Sequence, residues 1–326
     1  MEIFGKVLIT GGLGFIGRKL ISSIHNRSEW ITVVDIASEH SDAAVYEKIN
    51  ELKNITFLKK DCSLSETYEA LDMDYDYIFH MGAILGIKLV ADEPIQTMDV
   101  NILGLRKCLD FAIKQVSLKK FIFFSTSEVY GPEATKPDEG NSFIINNDSM
   151  RWCYAASKMM GEFYCKAYSQ KHSLPYVIIR PFNVYGPNRY GTNAMTALVT
   201  NAVNNKDIKI SGNGEQRRSW CHINDFVSTV ISASILPFDE HNCIFNVGNS
   251  DCYLSMKDLA SLVVLLAESK SRIMIAGDAT PDVVDRRPNT LRAEDLLNHM
   301  PKVSLEDGIK DVIAWVENVD GKRRCQ

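Results

Sequence analysis

The sequence has no cysteine pair at C-x-x-C spacing, no apolar run long enough to cross a bilayer, and no surplus of positive charge. Its eight cysteines (Cys62, Cys108, Cys153, Cys165, Cys221, Cys243, Cys252 and Cys325) are scattered, which argues against a zinc site and against a disulfide framework. Lysine and arginine total 36 against 41 acidic residues, a formal net charge of −5. No basic field therefore exists to attract nucleic acid or an anionic membrane surface. A phosphate-bearing ligand would have to be held locally, by helix termini and single arginines. The first ten residues lead straight into a strand pattern with no signal-peptide apolar core, so the expected location is the cytoplasm.

What is present is ordinary for a globular chain: 326 residues, 45% hydrophobic and 24% charged, enough to bury a substantial core. Short apolar runs recur at Lys6–Thr10, Trp30–Asp35, Ile55–Leu58, Tyr77–His80, Phe121–Ser125 and Tyr176–Arg180. Runs of this kind read as strands buried on both faces of a parallel sheet. Helix-length segments lie between them, Ile95–Val116 and Tyr154–Lys171 among them. The alternation predicts an α/β fold, a doubly wound parallel Rossmann sheet with right-handed crossovers. After Pro181 the rhythm gives way to loops rich in Asn, Gly and Pro. That change predicts a smaller C-terminal substrate-binding lobe. Residues 1–182 with 221–248 form the nucleotide-binding domain on this reading, and 183–220 with 249–326 the lobe.

Thr10-Gly11-Gly12-Leu13-Gly14-Phe15-Ile16-Gly17 follows the first strand and opens a helix. Glycines at these positions permit a tight turn, close approach to a pyrophosphate and close helix–sheet packing, with the helix N-terminus facing the phosphates. Asp35 closes the second strand 18 residues beyond Gly17. A carboxylate there bonds the adenosine ribose and repels a 2′-phosphate, favouring NAD over NADP. Asp61 and Cys62 after the third strand, and Gly82 and Ala83 after the fourth, are expected along the adenine and pyrophosphate. Tyr154 and Lys158 are spaced i and i+4, on one side of a helix. A free tyrosine, with a pKa of about 10, is a poor base at neutral pH. A nearby ammonium and an oxidised nicotinamide both favour the phenolate.

The fifth strand ends in Ser125-Thr126-Ser127-Glu128-Val129-Tyr130-Gly131. Together with TGGLGFIG, Asp35, YAASK, RPFNVYGP (180–187) and GNGEQRRSW (212–220), this set resembles the extended short-chain dehydrogenase/reductases that act on nucleotide sugars, over essentially the whole chain. The resemblance implies NAD as cofactor and a nucleotide-diphosphate sugar as substrate. It implies that Tyr154 deprotonates a sugar hydroxyl, usually at C4, while hydride passes to the nicotinamide. Lys158 would hold the nicotinamide ribose and lower the tyrosine pKa, and Thr126 would bond the same hydroxyl. Phe15, Ile16, Asn101 and Pro181 complete the expected cofactor set. Asn183 would contact the substrate diphosphate. Arg218 and one of Arg286 or Arg287 would clamp it, a role suited to a bidentate fork, with the other facing solvent or pairing with Asp285. A homodimer is implied too, through a four-helix bundle of Ile95–Val116 and Tyr154–Lys171 from each subunit.

Three outcomes can follow a 4-keto intermediate: hydride return to the other face (an epimer), loss of the 6-hydroxyl (a dehydratase), or loss of carbon dioxide from a C6 carboxylate. Epimerisation of the UDP-glucose 4-epimerase kind is the leading expectation. Simple 4-epimerases, however, need no second base, and Glu128 resembles the glutamate of GDP-mannose 4,6-dehydratases and UDP-glucuronate decarboxylases. R-W-x-Y-x-x-S-K, from Arg151, is similar to a bacterial decarboxylase that makes a 4-keto pentose. Ser127 joins Glu128 in the candidate catalytic set, although Glu128 could instead cap a turn. A non-catalytic NAD-binding scaffold is the alternative from another class, disfavoured because Tyr154, Lys158 and Thr126 are all present. No metal site is expected, and His80, His222 and Cys153 are read as structural.

Overall fold

A computed structural model describes residues 4–37, 51–71, 74–141, 145, 149–191, 193–239, 243–277 and 283–324. The chain divides into two compact units. Unit 1 comprises Met1–Val129, Ile145–Arg180 and Val230–Phe245; unit 2 comprises Tyr130–Ile144, Pro181–Thr229 and Asn246–Gln326. Segments 130–144, 181–182, 221–229 and 246–248 thus group with unit 2, whereas the sequence reading placed them in the nucleotide-binding domain.

Unit 1 carries β1 (Phe4–Thr10), β2 (Ser28–Asp35), β3 (Ile55–Lys59), β4 (Tyr77–His80), β5 (Lys120–Phe124) and β6 (Tyr176–Pro181). With the strand Ile244–Val247 they form a seven-stranded sheet in the order Ile244–Val247, β6, β5, β4, β1, β2, β3. The pairs from β3 through β6 are all parallel. Val7, Leu8, Ile9, Ile78, Phe79, Phe121 and Ile122 are completely buried, which is why these strands read as unbroken apolar runs. Each such side chain contributes roughly 1.5–3 kcal/mol on leaving water. The chain runs outward from β1 to β3, then returns to place β4 on the other side of β1. Ligands of open α/β sheets bind at such a reversal, beyond the carboxyl ends of the strands.

The helices of unit 1 include α1 (Phe15–Ile24), α2 (Ser65–Glu69), α3 (Ile87–Asp92), α4 (Pro94–Ala112) and α5 (Cys153–His172). Pro94 stands in the first turn of α4, where its missing N–H is not needed. The helix predicted to reach Val116 ends at Ala112, and Val116 is 89% exposed. Gln115 explains the stop. Its amide turns inward to accept from Tyr75 N at 3.1 Å and to donate to Phe111 O at 3.1 Å, which closes the chain into a tight turn. Gly161 in α5 has no room for a side chain: a Cβ there would lie 2.4 Å from Phe123 and 2.8 Å from Leu105. The helix therefore packs closely over β5 and α4.

Within unit 2, Arg217–Ser219 is the middle strand of a three-stranded sheet. It pairs antiparallel with Tyr253–Ser255 and parallel with Asp285–Arg286. The helices Ala194–Val203, Met256–Leu266 and Leu305–Arg324 share a core that includes Val199, Leu259, Val263, Ile309 and Val312. Asn193 and Ser255 cap the first two, accepting from Thr196 N (3.1 Å) and Asp258 N (3.0 Å).

Candidate active site

The glycine turn and α1 meet the β1/β4 reversal. Gly11 adopts φ +69°, and a Cβ on it would stand 2.6 Å from Gly82 N. A Cβ on Gly17 would lie 2.4 Å from Gly12 O and 2.7 Å from Gly12 Cα. Gly14 is the N-cap residue of α1, whose first turn has neither a side-chain cap nor an acidic residue. A helix N-terminus of this kind, carrying the positive end of the helix dipole, favours an anion. Asp35 accepts from Leu13 N and from Ala37 N, each at 2.9 Å, one per carboxylate oxygen. The carboxylate is pinned at the end of β2 with acceptor capacity to spare for ribose hydroxyls.

Asp61 Oδ1 accepts both from the backbone N–H and from the hydroxyl of Ser63, at 2.8 Å each, so the side chain shapes the turn after β3. Cys62 is buried, its thiol pushed up to about 12 by burial, and its sulfur occupies the space a Cβ on Gly82 would need, at 2.6 Å. It is a packing residue beneath the loop. Gly82 N donates to Thr10 Oγ1 at 3.3 Å, and Thr10 Oγ1 shares a 2.9 Å hydrogen bond with His80 Nδ1. Burial lowers the His80 pKa to about 3, so the ring is neutral and structural. Thr10 and His80 thereby hold the second wall of the cradle, a task that the sequence did not advertise. Ala83, partly buried, follows Gly82 on this loop. Asn101, on α4, is 3% exposed and accepts from Ile84 N (2.7 Å) while donating to Ile84 O and Ser157 Oγ (3.1 Å each). Its amide ties the loop after β4 to α4 and α5, so any contribution to the cofactor is positional. Pro181 ends β6. Glycines at 11 and 17 with no room for a Cβ, a helix N-terminus without a side-chain cap and a fixed carboxylate together fit a dinucleotide such as NAD.

The second half of the site lies where β5 ends beside α5. Lys158 is 4% exposed, and its ammonium donates to Phe124 O, the last residue of β5, at 2.8 Å. Burial lowers its pKa to about 8. Tyr154 lies one turn earlier on the same helix face and is half-buried. Thr126 and Ser127 are each 8% exposed, two and three residues past the carbonyl that Lys158 holds. Thr126 Oγ1 accepts from Glu128 N at 3.2 Å, opening a 3₁₀ turn over Ser127–Tyr130. The lysine bond and the helical spacing bring Tyr154, Lys158 and Thr126 to one edge of unit 1.

Further along α5, Glu162 accepts from Ser125 Oγ at 2.6 Å. It also accepts from Arg180 Nε at 2.9 Å and Arg180 Nη2 at 2.6 Å. These buried groups fasten α5 to β5 and β6. No spacing rule points to them, because partners 18 and 37 residues apart meet only in the folded chain. At the other end of α5, Arg151 Nη2 donates to Glu128 Oε1 at 3.2 Å. Cys153 Sγ lies 3.9 Å from Pro94 O, a packing contact.

The remaining expected residues belong to unit 2. Asn183, at φ +36°, donates from Nδ2 to Ser219 O at 3.0 Å. Arg218 donates from Nη2 to Val283 O at 2.7 Å. Arg286 is Arg218's register partner on the neighbouring parallel strand, is 3% exposed and donates to Gly131 O at 2.7 Å. Arg287 alternates to the opposite face, donating to Ser250 O at 2.9 Å with its guanidinium 5.2 Å from the Tyr253 ring centre. His222 is buried against Tyr185, its Nε2 3.6 Å from the Asp311 carboxylate.

Residues 7–248 match the family model described as the NAD dependent epimerase/dehydratase family. The chain belongs to that family. It is 29% identical over 327 aligned residues to UDP-N-acetyl-α-D-glucosaminuronate decarboxylase of Bacillus cytotoxicus, covering 97% of this chain and 98% of the relative. Among solved structures it is similar to UDP-glucose 4-epimerase of Thermotoga maritima with UDP-glucose (TM-score 0.84, 25% identity, 96% and 99% coverage). The UDP-glucuronic acid 4-epimerase of Bacillus cereus in complex with UDP-glucuronic acid and NAD shares the fold (TM-score 0.84, 24% identity, 96% and 99% coverage). Among the described residues no helix is long and apolar enough to cross a membrane.

Proposed function

We propose that this chain is an NAD-dependent enzyme that oxidises a UDP-hexuronate at C4 and then releases C6 as carbon dioxide, giving a UDP-pentose. The observation that carries the reading is the acidic group Glu128, two residues past Thr126 and ion-paired to Arg151 just ahead of Tyr154. Inverting C4 alone requires one base and a cofactor; a second, anchored carboxylate suits a second chemical step. The full-length similarity to a UDP-sugar decarboxylase supports the same outcome. A further decarboxylase, UDP-glucuronic acid decarboxylase 1 of Danio rerio, is 28% identical over 95% of this chain and 72% of its own length.

NAD, when bound, supplies the oxidised nicotinamide ring that takes a hydride from C4. Tyr154 removes the C4 hydroxyl proton and Thr126 hydrogen-bonds the same oxygen. Lys158, next to the phenol, favours its ionised form. The resulting C4 ketone is β to the C6 carboxylate, so the C5–C6 bond can break with its electron pair moving to the C4 oxygen. C5 takes up one proton and the C4 ketone re-forms; return of the hydride to C4, with Tyr154 giving back to O4 the proton it removed, would yield the UDP-pentose and leave the cofactor oxidised. On unit 2, Arg218 and Arg286 share one face through their strand register, so that pair, and not Arg287, is assigned the diphosphate, with Asn183 beside Arg218's neighbour Ser219. We also propose a homodimer through α4 and α5, where Ile95, Leu103, Met160 and Phe163 are exposed apolar residues.

Purified protein incubated with UDP-glucuronate, UDP-N-acetylglucosaminuronate and UDP-glucose, followed by NMR and carbon dioxide release, tests the reading. A UDP-pentose with stoichiometric carbon dioxide is expected, with Tyr154→Phe losing turnover by about 100-fold or more, the upper part of the usual general-base contribution. A C4-inverted sugar with all its carbons retained would replace decarboxylation with 4-epimerisation, the reading favoured by the likeness to the Thermotoga epimerase.

A further inference from the structure

The stretch from Arg151 through α5 and the stretch from the end of β5 to Glu128 are joined at three places: Arg151 to Glu128, Lys158 to Phe124 O, and Glu162 to Ser125. The second and third joints are deeply buried. In the first, the Glu128 side chain is 30% exposed and the Arg151 side chain only 9%. Arg151 is itself held, with its guanidinium 4.4 Å from the centre of the Trp152 ring, and Trp152 is 5% exposed. A fixed cation thus grips a carboxylate that would otherwise sweep through its rotamers. Arg151 is also only three residues ahead of Tyr154, at the entry of the same helix.

We propose that Arg151 is a positioning residue: it sets the Glu128 carboxylate relative to Tyr154 and so governs the step after C4 oxidation, not the oxidation itself. The inference rests on the decarboxylase reading above for the identity of that later step. A guanidinium suits the task because its planar fork is pre-organised and stacks on an aromatic face, whereas a lysine is a flexible point charge. Misplacing a reacting group by about 1 Å costs on the order of 100-fold in rate. Of the groups assigned to the oxidation, Tyr154 and Lys158 are held by the helix and by Phe124 O, and Thr126 Oγ1 accepts from the backbone N–H of Glu128, which does not involve the Glu128 carboxylate. Loosening the Glu128 side chain alone leaves those anchors in place.

The test separates the two steps in single turnovers of the holoenzyme with UDP-glucuronate and UDP-N-acetylglucosaminuronate. Absorbance of the reduced nicotinamide reports C4 oxidation, and carbon dioxide release reports the second step. Arg151→Met is expected to change the first rate by no more than about threefold and to slow the second by about 100-fold, with the 4-keto uronate accumulating. Arg151→Lys should recover part of the second rate. Glu128→Gln should resemble Arg151→Met, and the double variant should be no slower than either single one, because both act through one contact. Equal slowing of both steps in Arg151→Lys, or additive losses in the double variant, overturns the positioning role. Arg151→Lys keeps the charge, so it carries the test if Arg151→Met fails to fold. A wild-type protein that reduces the nicotinamide but releases no carbon dioxide refutes the decarboxylase reading instead. The same ratio, read on the C4 configuration of the returned sugar, then decides the role of Arg151.

Discussion

An ammonium 4% exposed beneath the end of β5 is an expensive group to keep in a folded protein. Burial takes Lys158 from its ordinary 10.5 down to about 8. A lysine whose folded pKa is depressed destabilises the fold at every pH below that value, where both states are protonated. The penalty disappears as pH rises from about 8 towards 10.5, since the unfolded chain then binds more protons than the folded one. Relative to Lys158→Met, the wild-type protein should therefore gain up to about 3 kcal/mol of stability between pH 7.5 and 10.5. Urea denaturation of both proteins across that range measures it, and parallel stability curves would remove the argument. On the proposed mechanism the same variant should lose turnover, because the phenol of Tyr154 would lack its cationic neighbour. At this scale much of the site was legible beforehand: Tyr154 and Lys158 stand one helical turn apart in the sequence itself. Thr10, His80 and the Glu162–Arg180 pair were not, since their partners are remote along the chain and carry no spacing signature.

The glycine turn shows how an element can be read from sequence while its tolerances cannot. Gly12 and Gly17 belong to the same motif, yet their surroundings differ. A Cβ on Gly12 would meet the buried Val33 side chain at 2.6 Å, while one on Gly17 would meet the Gly12 backbone itself. Overpacking of this sort costs about 1–3 kcal/mol, and more where backbone must move. Gly17→Ala should thus lower NAD affinity by about 10-fold or more, and lower Tm, while Gly12→Ala should be the milder change. Calorimetric titration of NAD into both variants checks the order, and a reversed order would show that helix–turn packing does not form the cradle. Strand positions were legible because both faces of the sheet are covered. The C-terminal end of α4 was not, because Gln115 reads as a helix former until its amide is seen bonding Tyr75 and Phe111.

For the whole molecule, the open question is what covers the exposed apolar residues of α4 and α5. Phe163 is 56% exposed, Ile95 71%, Met160 46% and Leu103 44%. Exposed apolar side chains of this size on two packed helices are candidates for an association surface. Phe163→Glu should convert a dimer into a monomer by sedimentation or light scattering at micromolar concentration, with the fold retained by circular dichroism. A wild-type protein that is already monomeric would remove the proposed four-helix assembly.

Local chemistry was enough for the order of strands and helices, the glycine turn with its Asp35, and the Tyr154–Lys158 pair, because periodicity, backbone permissiveness and helical spacing act over a few residues. Tertiary structure alone decided which arginine stands beside Arg218, because strand register places Arg286 there and turns Arg287 away. It alone joined Glu128 to Arg151 and Lys158 to the end of β5. Those contacts depend on where a helix lands against a sheet, and packing sets that position across the whole unit.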